Sequence, residues 1–237
     1  MIRKYFKNSV KMIFNDLHIN KQFTDVLFIR TPTTGGWMDD MLLDNSEINI
    51  TRISYQPDTV KCQSQMTPEF KKYDLLNSAP HGNSGNILEH SKLESHLTSL
   101  DKKFDLIILD PFHEYYESNK DLLMLPSFMT ENGILICHDC FPFKKEYATS
   151  NFKPGNWSGV TYICFVELAY SNPDWWYAVF ANDTGVGILS KQKLDYLEQN
   201  FDRTKQEQLI QMNKNNNDNT YDYYCRYSKG LINLIKK

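Results

Sequence analysis

The sequence predicts an α/β fold in which a mostly parallel, doubly wound sheet ends in an antiparallel hairpin. Three observations predict it. The runs DVLFIR at 25–30 and FDLIILD at 104–110 are almost continuously apolar, as strands buried on both faces are. Helix-compatible stretches alternate with such strands, which is the pattern of βαβ units. Near the end, residues 175–181 and 185–189 are two short apolar runs separated by a turn containing Asn-Asp-Thr, the signature of a hairpin.

Taken in order, residues 1–19 place Ile2, Tyr5, Phe6, Val10, Ile13, Phe14 and Leu17 at roughly helical spacing. This predicts an amphipathic helix packed on the body. The first strand, 25–30, runs into Thr-Pro-Thr-Thr-Gly-Gly, and a second, 47–55, runs into Gln56-Pro57-Asp58. Between them and the third strand, 104–110, lies a polar stretch. It has helical segments near 68–77 and 87–100, and the loop SAPHGNSGN. Residues 114–129 form a helix that Pro126 ends or kinks. Residues 130–133 (Thr-Glu-Asn-Gly) form a turn, and 134–137 a further buried strand. A loop, 139–158, leads to a helix at 159–171 with Val160, Ile163, Val166 and Tyr170 on one face. The tail from 191 is polar and helical, broken by the Asn-rich run at 214–219. The length of 237 residues suggests one domain, with 20–190 as its core.

Composition narrows the function. With 26 basic against 29 acidic side chains the net charge is −3, which excludes a nucleic-acid binder that works by bulk positive charge. No apolar stretch approaches a membrane span, and the N-terminus lacks a signal-peptide h-region. The five cysteines, at 62, 137, 140, 164 and 225, are odd in number and spread out. They predict a reduced, cytoplasmic protein without structural disulfides. Cys137 and Cys140 flank His138-Asp139, but two further ligands for a zinc site are lacking. HGNSG at 81–85 is not a nucleophile elbow, because Ser84 is followed directly by Gly85. Trp157, Trp175 and Trp176 are candidates to stack on a sugar ring, although the last two fit packing in a strand equally well.

Parallel sheets bind ligands beyond the carboxyl ends of their strands. Two of those ends carry unusual residues. The third strand delivers Asp110, with His113 three residues on, and the next delivers His138 and Asp139. Neighbouring strands lie about 4.8 Å apart, so both clusters would share one rim. Two carboxylates and two imidazoles suit a divalent cation. They suit equally a histidine that abstracts a proton beside a charge. His113 lies just past the strand end, where Pro111 stiffens the turn, and a nearby cation would keep its imidazole neutral, as a base must be.

The stretch from Phe104 to Asp139 resembles the second half of class I SAM-dependent methyltransferases, especially small-molecule and sugar O-methyltransferases. Asp110, His113, Tyr116, Asp121, Gly133, His138 and Asp139 match that pattern in order. NWSGVTYICFVEL and NDTGVGIL resemble a Trp-x-Gly helix start and an Asp-x-Gly-x-Gly hairpin of methyltransferase-like proteins from bacterial polysaccharide gene clusters. The likeness covers roughly residues 100–190. It implies a Rossmann-like fold and a cytoplasmic transferase that uses S-adenosylmethionine and Mg²⁺ or Mn²⁺ on a sugar or glycan hydroxyl, in a monomer or homo-oligomer. It implies Asp110, His138 and Asp139 as metal ligands, with Asp110, Asp139 and the base His113 as the catalytic set. The first half departs from the pattern. Arg30 and Pro32 stand in the cofactor's approach, and Asp58 comes late for a ribose contact. The implied cofactor-binding residues there are Thr31, Gly35, Gly36 and Gln56. A metal-dependent, glycan-modifying enzyme that does not use SAM, and a silent binding module on the same fold, both remain open.

Overall fold

The structure, a computed structural model, describes residues 13, 22–31, 48–57, 88–153, 156–194, 199 and 201–235. Along the chain run β1 (Asp25–Arg30), β2 (Asn49–Gln56), β3 (Leu88–Glu89), α1 (Leu93–Ser99), β4 (Phe104–Asp110) and α2 (Tyr115–Met124). There follow β5 (Met129–Cys137), α3 (Thr161–Ser171), β6 (Trp176–Phe180), β7 (Val186–Ser190), α4 (Arg203–Lys214), α5 (Thr220–Ile232) and β8 (Leu234–Ile235). Among the described residues these strands form one sheet in the order β3-β2-β1-β4-β5-β7-β6-β8. β1 pairs in parallel with β2 on one side and β4 on the other, and β4 pairs in parallel with β5. β7 runs antiparallel to both β5 and β6. The expected doubly wound sheet with a closing hairpin is what the chain builds.

Side-chain alternation explains the apolar runs. Leu27, Ile29, Ile107, Leu109, Leu135 and Cys137 face one core with α1, α2, α3 and the tail helices. Val26, Phe28, Leu106, Ile108, Ile134 and Ile136 face the other, where Ile13 also packs. Strands with two buried faces have no polar positions to spare.

Several boundaries differ from expectation. The α-helix after β4 stops at Met124, and Pro126 sits in a single 3₁₀ turn, Leu125–Phe128; proline offers no N–H to continue the α-helical ladder. The expected turn at 130–133 is instead the foot of β5, with a register irregularity opposite Phe104–Leu106. Such a bulge carries turn chemistry inside a strand. α3 is buried almost all round rather than on one face, because α2, α4 and α5 all pack against it. The polar tail does more than cover the surface. α4 and α5 bury Leu209, Tyr224, Leu231 and Ile232, and β8 extends the sheet beside β6. The Asn-rich run, after Lys214, connects the two helices. The N-terminal helix, apart from buried, helical Ile13, the segment near 68–77 and the SAPHGNSGN loop fall outside the described residues. No helix among the described residues is long and apolar enough to cross a membrane.

The turn between β6 and β7 is a tight piece of backbone near the carboxyl edge. Asp183, Thr184 and Gly185 all have positive φ, and Gly185 reaches +92°. A Cβ on Gly185 would come within 2.0 Å of the Phe141 nitrogen. That approach lets Cys140 and Phe141 donate their N–H groups to the Gly185 and Thr184 carbonyls. Gly185→Ala is expected to cost at least about 2 kcal/mol through backbone strain and clash. Thermal unfolding should show a drop of at least about 4 °C.

Candidate active site

The register of β4 and β5 builds the site. Leu109 pairs with Cys137, so the next residue of β4, Asp110, lies beside His138 and Asp139. His138 donates its N–H to the Leu109 carbonyl at 3.0 Å, extending the ladder by one step. Asp139 then adopts φ +60°, a left-handed conformation that Asp tolerates better than most residues.

His113 is held from the opposite side. Its Nδ1 lies 2.7 Å from the Trp157 carbonyl. A carbonyl only accepts, so Nδ1 carries the hydrogen and Nε2 is the atom turned to the rim. Nε2 is 3.0 Å from Asp139 Oδ2 and 3.5 Å from Asp110 Oδ1. Gly159 makes this hold feasible. It has φ +55°, and a Cβ there would fall 1.9 Å from the His113 carbonyl oxygen. Its successor, Val160, donates its N–H to that same carbonyl at 2.9 Å.

His138 Nδ1 faces the same two carboxylates, 3.1 Å from Asp139 and 3.4 Å from Asp110. Its Nε2 is 3.5 Å from Asp183 Oδ2, in the β6–β7 turn. The four residues singled out at the strand ends are therefore together. Asp110, His113 and Asp139 are buried, and each offers a ligand atom within 4.8 Å of the others. That triad contains His113 in addition to the carboxylates, where the expected ligand set has His138.

Electrostatics tie the cluster together. Burial by itself would raise the two carboxyl pKa values. Hydrogen bonds and charge from His113 and His138 outweigh it, holding Asp110 below and Asp139 well below the ordinary carboxylate range. Burial would likewise lower the imidazoles, but the facing carboxylates win. His113 is pushed up to about 10 and His138 well above its ordinary value. With only these carboxylates opposite, His113 holds its proton and is no base. Positive charge between the aspartates is the condition for a neutral imidazole.

Other expected site residues are placed as follows. Thr31, after β1, is fully buried, and Gln56 ends β2 exposed. Gly35 and Gly36 lie outside the described residues. Trp157 contributes its carbonyl to His113, while its indole is buried against Phe112 and Phe152 and donates to the Thr149 carbonyl. Trp175 and Trp176 belong to the opposite end of the sheet, where Trp176 pairs with Ser190, and do not reach the rim. Cys137 and Cys140 are buried free thiols. Sequence reasoning missed Asp183 as a site residue, although its motif was visible, and missed that Asp121, matched in the resemblance, meets Tyr55, His90 and Glu117 in a buried cluster.

No family model matches the sequence, and no curated protein matches it. Solved structures do. A candidate caffeoyl-CoA O-methyltransferase from Staphylococcus aureus superposes with TM-score 0.50 at 15% identity, over 77% of this chain and 83% of that one. The chain has a class I methyltransferase fold. A Bacillus cereus O-methyltransferase in complex with S-adenosylhomocysteine gives TM-score 0.44 at 14% identity, over 76% and 79% of the two chains. A candidate O-methyltransferase from Klebsiella pneumoniae gives 0.44 at 14%, over 76% and 78%. Only the first of these bears on the assignment, and it bears on the fold.

The raised imidazoles have a consequence for stability. His113 has an ordinary, unfolded value near 6.5 and a folded value of about 10. Its stabilisation is complete below the first and is lost as pH rises through the second. His90, raised to about 9 by Asp121 and Glu117 against its burial, acts in the same direction. In EDTA the melting temperature should fall between about pH 6.5 and about 10. His113→Gln should flatten that slope; an unchanged slope would contradict the ion-pair account.

Proposed function

We propose that this protein is a SAM-dependent O-methyltransferase, assisted by a divalent metal ion, that methylates a hydroxyl of a sugar or glycan intermediate. The observation that carries the proposal is the convergence of Asp110, His113, His138 and Asp139 at the carboxyl ends of β4 and β5 in a methyltransferase fold. The sugar assignment rests on the resemblance across residues 100–190. We read residues 1–237 as one catalytic unit, since one face of the sheet draws on residues from Ile13 to Ile235 and the other on residues from Leu27 to Leu234.

The donor set fits Mg²⁺ or Mn²⁺: two buried carboxylates supply oxygen, and His138 is a further donor. When bound at Asp110 and Asp139, a divalent cation would lower the pKa of a nearby hydroxyl and relieve His113 of its proton. The chain's own work is then geometric. Trp157 fixes the His113 ring with Nε2 toward the acceptor. Nε2 is placed to accept the hydroxyl proton. The sulfonium donor, when bound, would supply its methyl group to the hydroxyl oxygen, its carbon–sulfur bond breaking so that S-adenosylhomocysteine would depart as a neutral thioether. Thr31 after β1, Gln56 at the end of β2, and Gly35 and Gly36 are the residues proposed to hold the donor.

Labelled SAM offered with a panel of sugars and nucleotide sugars tests the assignment. Asp139→Ala should abolish transfer while the protein stays folded, and excess EDTA should do the same to the wild type; full activity in EDTA would remove the metal. His113→Gln should lower turnover roughly 10²–10⁴-fold with SAM affinity unchanged. Near wild-type turnover in that variant would end its role as base. Gly36→Val should raise the SAM dissociation constant at least about tenfold, close to 1.4 kcal/mol. Calorimetry that detects no SAM binding to the wild type would exclude the donor.

A further inference from the structure

Behind the rim lies a second polar cluster, fully buried, that the proposed chemistry does not use. Tyr55 comes from β2, His90 from the turn after β3, and Glu117 and Asp121 from α2. All four are 0% exposed. The Tyr55 hydroxyl donates to Asp121 Oδ2 at 2.6 Å. His90 Nε2 meets the other Asp121 oxygen at 2.6 Å, and its Nδ1 pairs with Glu117. The Tyr55 and His90 rings stack with centroids 4.6 Å apart.

The cluster ends on the backbone of the catalytic loop. The Phe112 N–H donates to the Tyr55 hydroxyl at 3.1 Å. Phe112 immediately precedes His113. We infer that Tyr55, oriented by Asp121 and His90, is a positioning residue that fixes the Pro111–Phe112 peptide, one residue before His113, and so aims the His113 ring at the rim. The inference rests on the reading of His113 as the base.

The physical logic is directional. A phenol has one O–H, and Tyr55 donates it to Asp121. The hydroxyl oxygen can then only accept from Phe112. Asp121 in turn is held on both oxygens, so the phenol is not free to swing. The other side of the same residue is gripped as well. The Phe112 carbonyl accepts from Ser118 Oγ at 2.9 Å, and Ser118 lies 3.1 Å from the Thr161 hydroxyl. The next carbonyl, that of His113, accepts from Val160. The base is thereby referenced to β2, α2 and the start of α3 together. A buried ionic cluster is a poor way to add stability, since apolar side chains of the same volume hold a core as well or better. Its specific asset is fixed direction, and an ångström of misplacement at a reacting group costs about 10²-fold in rate.

Tyr55→Phe removes the hydroxyl and keeps the ring. Ile134→Val, in β5 but in the core on the opposite face of the sheet, serves as a control that loosens the core without touching the loop. The first readout needs no substrate. In protein labelled with ¹⁵N in the histidine rings, the His113 Nδ1–H signal is assigned by its loss in His113→Gln. Its hydrogen exchange should be at least about tenfold faster in Tyr55→Phe and unchanged in the control. Unchanged exchange in Tyr55→Phe, or equal acceleration in the control, overturns the inference. The second readout is a double-mutant cycle on turnover. Tyr55→Phe should slow the wild type about tenfold at constant KM and have no effect in a His113→Gln background. Equal slowing in both backgrounds means a merely structural role and overturns the inference. If His113→Gln alone turns over like wild type, the base assignment fails, and the exchange measurement still decides whether Tyr55 positions the ring. Should Tyr55→Phe not fold, Asp121→Asn is expected to give the same ordering with smaller effects, and no change in exchange would count against the inference.

Discussion

Asp110 and Asp139 are buried carboxylates that face the same two imidazoles, and the rim can exist only while positive charge sits between them. Like charges at this separation out of water repel strongly unless compensated. In the protein by itself, protons on His113 and His138 supply the compensation. On the proposed reading the same protons would disable the base. Structure and chemistry would then compete for one quantity of charge, and a divalent cation held there would resolve the competition by taking over the electrostatic role. Much of the surrounding architecture serves to keep these four groups close enough for that exchange.

The parts of this arrangement that could be read from the sequence share a cause. β1 and β4 announce themselves because both faces of a central parallel strand are buried, leaving a run without polar residues. Asp110, His113, His138 and Asp139 stand out because they interrupt such runs at their carboxyl ends. Where reading fails, local chemistry and tertiary context disagree. Thr130–Gly133 has the composition of a turn yet lies inside β5, since the sheet absorbs it as an irregularity between the Phe104–Met129 and Leu106–Ile134 pairs. α3 shows one apolar stripe in sequence but is enclosed by three helices. The tail seems polar because its buried positions, such as Leu209, Tyr224 and Leu231, are diluted among charged ones. In the Tyr55–His90–Glu117–Asp121 cluster only Glu117 and Asp121 share a helical spacing; the four meet only after β2, β3 and α2 have packed.

The tail also bears on the site. Tyr224 of α5 donates to the Cys140 carbonyl at 2.6 Å, and Tyr221 donates to the Pro142 carbonyl at 2.9 Å. These bonds hold the segment just after Asp139 from one side, while the β6–β7 turn holds it from the other through Cys140 and Phe141. A residue at φ +60° needs such support, because a left-handed Asp left to itself relaxes. The helices that a sequence reading assigns to the periphery are therefore part of what keeps a candidate ligand in place.

The bonds that fix the rim span long stretches of chain: 44 residues from His113 to Trp157, 57 from Tyr55 to Phe112, and 84 from Cys140 to Tyr224. Contacts of such separation form late, after loop-closure entropy has been overcome. The four rim residues leave the ribosome as scattered, independently hydrated side chains. If they hold an ion as proposed, its capture would be an event of completed folding rather than of early collapse. A chain stalled part-way would hold all four and still lack the cavity that brings them together.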